Sequence, residues 1–201
     1  MAEMYDYLGF PAVGFSATDL PEEYRRGAID ARRIFIEKLG TYGASWLVFR
    51  PSSITDQALI KAYRLRKLHA REHLSKVGES VRIDALALIN YSFIAVYVAH
   101  KNPLGNWLAM PSTHDALDLV VQEIDEARAE AARLFVAKNH DYDQAWQQFR
   151  VETLVDLILA KFVRIRQLES TAATYPAAQV RAEFLDIANY ACLLAGLMSP
   201  Q

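Results

Sequence analysis

The sequence predicts an all-α helical bundle built from two tandem, pseudo-twofold-related three-helix repeats, and three observations lead there. Residues 138–169 repeat residues 38–69 without a gap: Lys38, Tyr42, Trp46, Phe49, Arg50, Asp56, Lys61, Arg64, Arg66 and Leu68 fall on Lys138, Tyr142, Trp146, Phe149, Arg150, Asp156, Lys161, Arg164, Arg166 and Leu168. Most of these positions are polar or aromatic, so shared apolar periodicity does not explain them and the match marks an internal duplication. A second match follows at an offset of ninety-nine, "RIDALALINYS" against "RAEFLDIANYA". Finally, no stretch alternates with the period of two that a half-buried strand requires.

In chain order, residues 1–20 carry Gly9, Pro11 and Gly14 among aromatics and read as an irregular arm. The first repeat spans 21–100. Its first helix is expected to be capped by Thr18 or Asp19, with Pro21 and acidic residues in the first turn and Gly40 and Gly43 at its end. Ser52 or Ser53 with Asp56 opens a second helix to about Lys67, and a third runs from about Val81 to His100. A punctuated linker at 101–114, "KNPLGNWLAMPSTH", leads to the second repeat at 115–201. That repeat follows the same plan: Asp115 to Lys138, Thr153 to Glu169, and about Ala178 to Leu197.

The chain of 201 residues is 52% hydrophobic and 23% charged with formal net charge -2, values of a globular protein and not of a general nucleic-acid coat. Its single cysteine, Cys192, excludes an internal disulfide and lies in an apolar run, as a core residue would. No leader pattern opens the chain, and no segment reads as the roughly 18 apolar residues of a membrane span. A soluble cytoplasmic protein without membrane contact is expected, and its oligomeric state is left open, a homo-oligomer included.

Three constellations could carry chemistry. On a wheel at about 100° per residue, Lys161 falls inside the apolar stripe of its helix, as Lys61 does in the first copy, with Arg164 and Arg64 alongside. An unpaired ammonium there would cost several kcal/mol, so either a carboxylate or a bound anion such as phosphate must meet it. Glu183, Asp186, Asn189 and Tyr190 share about 120° of an otherwise apolar helix; carboxylates at i and i+3 suit a hard cation with oxygen ligands. Ala87 replaces the second carboxylate in the first copy, so a metal site belongs in the second. The loop "NHDYDQAW" adds His140, Asp141 and Asp143, with Tyr142 and Trp146 either packing on the bundle or stacking on a base. "HAREH" at 69–73 matches an inverted zinc-peptidase pattern, but its duplicate at 169–173, "ESTAA", keeps no ligand at its place.

The run Lys138, Asp141, Tyr142, Ala145, Trp146, Arg150, Asp156, Lys161, Arg164, Asn189, Tyr190 resembles the nucleotide modification associated domain 1 family over about residues 28–100 and 125–197. It departs at Asp143, where the family usually has Gly, and Thr41 replaces the Asp in the first copy. A more distant likeness is to MazG-type all-α nucleoside triphosphate pyrophosphohydrolases, whose later helix carries a Glu-x-x-Asp like that of Glu183 and Asp186. Where their earlier helix holds glutamates, this chain has Asp156, Lys161 and Arg164. The resemblance implies a nucleotide or modified nucleotide as ligand. The carboxylate face together with the likeness to the pyrophosphohydrolases implies a magnesium-dependent phosphohydrolase, with Asp156, Glu183 and Asp186 catalytic and Mg2+ on Asp141, Glu183 and Asp186. Tyr142, Trp146, Arg150, Lys161, Arg164, Asn189 and Tyr190 would bind substrate. The alternative is a non-catalytic nucleotide-binding or interaction module on the same helical repeat.

Overall fold

A computed structural model describes residues 17–69, 81–101 and 114–199. Six helices account for nearly all of them: α1 Glu22–Tyr42, α2 Pro51–His69, α3 Val81–Lys101, α4 His114–Asp141, α5 Val151–Thr171 and α6 Ala177–Leu197. Short 3-10 turns at Ala17–Asp19, Ser45–Val48 and Ala145–Gln148 punctuate them, and no strand occurs among the described residues. Most of the expected arm and linker, and residues 70–73 of the "HAREH" match, lie outside the described residues.

The helix limits differ from expectation where caps were read from side chains. Thr18 and Asp19 sit in a 3-10 turn, and α1 starts after Pro21 without a side-chain cap. Its first turn instead carries Glu22 and Glu23, which favour the positive end of the helix dipole. Pro51 opens α2 ahead of Ser52, since proline has no N–H to leave unpaired in a first turn. Its counterpart Val151 opens α5 two residues ahead of Thr153, following the extended Arg150. α1 passes through Gly40 and ends at Tyr42, just before Gly43, and in the second copy α4 runs past the expected Lys138 to Asp141, within one aligned residue of the same point.

α3 and α6 pair at the centre, α2 packs on α3 and α5 on α6, and α2 also touches α5. α1 and α4 cover the other side, each touching both central helices, so the set of packed pairs is unchanged when the two copies are exchanged. Buried residues of both copies form one core. Being covered on both sides makes α3 apolar all round, so by length and composition Val81–His100 does pass as a membrane span, contrary to expectation; 67% of that window is buried inside the bundle.

One difference between the copies shapes both clefts described below. α1 rests on α6 backbone to backbone: a Cβ at Gly27 would overlap the carbonyl oxygen of Cys192, and one at Gly196 that of Glu23. At the ninety-nine offset Gly196 stands where α3 has Tyr97, and at the offset of one hundred Gly27 is matched by Ala127. The Tyr97 ring lines a cleft of about 610 Å³ between α3 and α4, whereas α1 closes down on α6.

Candidate functional site

Carboxylates meet the lysine of the apolar stripe in both copies. Lys161 Nζ donates to Asp186 Oδ2 at 2.7 Å and lies 2.9 Å from Glu183 Oε2, joining α5 to α6. Lys138, near the end of α4, donates to Asp186 Oδ1 at 2.5 Å. In the first copy Lys61 and Arg64 both face the fully buried Asp84, at 3.5 and 3.0 Å. Burial opposes the charge on Lys161, but the hydrogen bonds of Asp186 and Glu183 outweigh it and its pKa is raised. Burial likewise pushes the Asp186 carboxyl up, and the donors Lys138 and Lys161 more than reverse this, leaving it below its ordinary value.

This arrangement does not fit a magnesium ion. Both Asp186 oxygens are taken, Glu183 shares the same ammonium, and two lysines balance two carboxylates. Asp141, the expected third ligand, is exposed and lies 3.5 Å from His140 Nδ1. Among the described residues no group of three or more His, Cys, Asp and Glu is placed to hold a metal.

Asn189 and Asn90 hold the layers together. Asn189 Nδ2 donates to the Ala131 carbonyl at 3.0 Å and Asn90 Nδ2 to the matching Ala31 carbonyl at 2.9 Å, each within its own copy. Their oxygens accept from the opposite copy: Tyr24 Oη at 2.8 Å on Asn189, Arg128 Nη2 at 2.8 Å on Asn90. With its amide so engaged, Asn189 is buried and does not stand beside Glu183 and Asp186. Arg128 is sheathed by Phe93 and Phe35, and burial, only partly offset by Asp125, pushes its pKa down to about 10. Tyr190 packs half-buried on the core. Asp156 is exposed at the place of Asp56, whose partner is Arg166 of α5. Arg164 is exposed and reaches Gln167. Arg150 precedes α5 by one residue and is exposed; eleven residues separate it from Lys161, roughly 16 Å of helix, so the two do not converge on one phosphate.

The loop between α4 and α5 forms a separate place. Asp143 and Gln144 both take left-handed backbone, φ 47° and 55°. Gly43 has φ 60°, so the glycine usual at position 143 answers a backbone need that Asp meets with some strain. Asp143→Gly is accordingly expected to raise stability by about 0.5 kcal/mol, read as a higher denaturant midpoint. Trp46 packs edge-on against Tyr97, centroids 5.4 Å apart. Trp146 finds Gly196 in that place, and its buried indole N–H has no hydrogen-bond partner among the described residues. It lines a cleft of about 490 Å³ with Asn139, Gln144, Gln147, Glu23 and Leu197. Tyr142 stands nearby in sequence, 71% exposed.

Sequence reasoning passed over these amides, yet their signal was in the repeat. Where the second copy has Asn139, Gln144 and Gln147, the first has Leu39, Ala44 and Leu47, all buried. The 610 Å³ cleft contains none of the expected site residues, and its Glu130 is engaged by Arg181.

The family model described as nucleotide modification associated domain 1 matches twice, at residues 38–97 and 138–197. The chain belongs to this family. The two nucleotide modification associated domains run from the last turns of α1 and α4 to the ends of α3 and α6, so each match includes the loop with its tryptophan and the lysine–carboxylate pair. No curated protein and no solved structure matches the sequence.

Proposed function

We propose that the protein binds a nucleotide in the cleft of the second copy, the base lying on Trp146 with its polar edge read by Asn139, Gln144 and Gln147. The observation that carries this reading is the replacement of three buried apolar residues by three amides around a tryptophan that has lost its aromatic partner. An amide offers a donor and an acceptor side by side, the pattern of a nucleobase edge, and the cleft has the size of ordinary small-molecule pockets. The exposed Arg150, three residues beyond Gln147, supplies charge for a phosphate. The family's association with nucleotide modification supports the ligand class.

In this reading Lys161, Glu183 and Asp186 join helices. Magnesium-dependent phosphohydrolysis, the second reading, rests on the Glu-x-x-Asp spacing and would require both lysines to leave Asp186. Calorimetric titration of a nucleoside monophosphate and triphosphate panel, with turnover measured with and without Mg2+, tests both. Trp146→Ala is expected to weaken binding by about fivefold to a hundredfold, since stacking of a base on an aromatic ring is worth about 1–3 kcal/mol. Trp46→Ala should leave affinity unchanged. Equal affinity in wild type and Trp146→Ala would remove the cleft as the site, and Mg2+-dependent turnover lost in Asp186→Asn would favour the second reading.

A further inference from the structure

α2 and α5 lie side by side and antiparallel, as two cross-links show: Thr55 Oγ1 donates to Glu169 Oε1 at 2.8 Å, and Arg166 pairs with Asp56. Residues 60–63 are therefore level with 160–163. The outer face at that level is apolar: Ile60 is 50% exposed, Tyr63 57% and Val163 70%, and Ala160 is exposed as well. On each helix an Asp and an Arg ten residues apart, Asp56 with Arg66 and Asp156 with Arg166, bracket this patch, and all four are exposed. Because the helices run in opposite directions, each end of the face carries one Asp and one Arg.

We propose that this face is a dimerisation surface whose partner is a second copy of the same chain. The charge layout selects that partner. A twofold axis in the plane of the face and parallel to the helices lays α2 on the other copy's α5, setting each Asp56 against an Arg166 and each Arg66 against an Asp156. A twofold perpendicular to the helices sets Asp56 against Arg66 and Arg166 against Asp156. Either closed arrangement opposes unlike charges at all four corners and puts the apolar centre on itself, which is what an isologous interface requires. The bracketed patch is about 15 Å long, ten residues on each helix, and about 20 Å wide, so it is the centre of a contact that the rest of α2 and α5 extends toward the ~800 Å² per partner of stable complexes. The Asp and Arg spacing is part of the duplicated segment, so the duplication itself makes the surface self-complementary.

Sedimentation equilibrium and light scattering of the full chain between about 1 and 100 µM test the proposal, the upper limit allowing for a micromolar association. Wild type should dimerise within this range, and Tyr63→Glu with Val163→Glu should raise the dissociation constant more than tenfold at an unchanged melting temperature, both positions being exposed. The variant Arg66→Glu with Arg166→Glu and the variant Asp56→Lys with Asp156→Lys should each be monomeric alone and form a 1:1 heterodimer when mixed. A wild type that stays monomeric at 100 µM, a glutamate double variant as dimeric as wild type, or charge variants that fail to pair on mixing would each overturn it. The nucleotide cleft is outside this face, so the outcome is independent of ligand binding.

Discussion

Gly196→Ala is expected to destabilise the protein by about 3 kcal/mol, near the top of what overpacking costs. The new Cβ would overlap the Glu23 carbonyl oxygen, a backbone atom fixed in the first turns of α1, so no rotamer change relieves the contact. α1 would have to lift off α6, loosening the buried Tyr24 and its hydrogen bond to Asn189. Gly27→Ala meets the Cys192 carbonyl and should behave alike. Gly40→Ala is the control: it lies in the same helix with nothing within 4 Å of its would-be Cβ, and it should stabilise by about 0.5–1 kcal/mol through helix propensity alone. Chemical denaturation of the three variants decides the matter, and a Gly196→Ala loss below about 1 kcal/mol would show that the contact yields.

The duplication made the helix plan legible because retained positions fix where each element begins and ends to within a few residues. It also exposed Lys61 and Lys161 as anomalies needing a counter-charge, and the helix wheel placed both correctly toward neighbouring helices. The pattern could not supply which helices are neighbours. Sequence spacing alone makes Glu183 and Asp186 candidate ligands for a hard cation, whereas in the fold they are the groups that α5 presses Lys161 against. Asn189 was read as part of the same face for the same reason, whereas a third layer, α1 and α4, claims its amide. The cleft is hidden for a different cause: it is written in what one copy has lost, not in what the two retain. Leu39, Ala44, Leu47 and Tyr97 give way to Asn139, Gln144, Gln147 and Gly196, a cluster of losses that becomes visible as one place only when the chain is folded.

Lys161→Met and Lys61→Met should differ in cost although they are the same substitution at duplicated positions. Lys161 alone bridges Glu183 and Asp186; removing it leaves two half-buried carboxylates side by side with only Lys138, itself half-exposed, to compensate. Breaking a fully buried pair costs about 3–5 kcal/mol, and the solvent reaching this cluster reduces the expectation to about 2 kcal/mol. In the first copy Arg64 remains 3.0 Å from Asp84 after Lys61 is gone, and Ala87 leaves no second carboxylate to repel the first, so a loss below about 1 kcal/mol is expected. The pH dependence carries a sign that packing defects lack. Asp186 is held below its ordinary value of 3.8, so its stabilisation is present above that pH and fades as pH falls through the lowered pKa. Lys161 is held above 10.5, so its share is complete below that pH and is lost as pH rises past it. The gap between wild type and Lys161→Met should thus be wide from pH 5 to 9 and shrink on the acid side, with nucleotide affinity unchanged at pH 7. A gap equally wide at pH 3 would mean that the methionine merely packs badly, and a loss of nucleotide affinity without a loss of stability would return the lysine to the ligand.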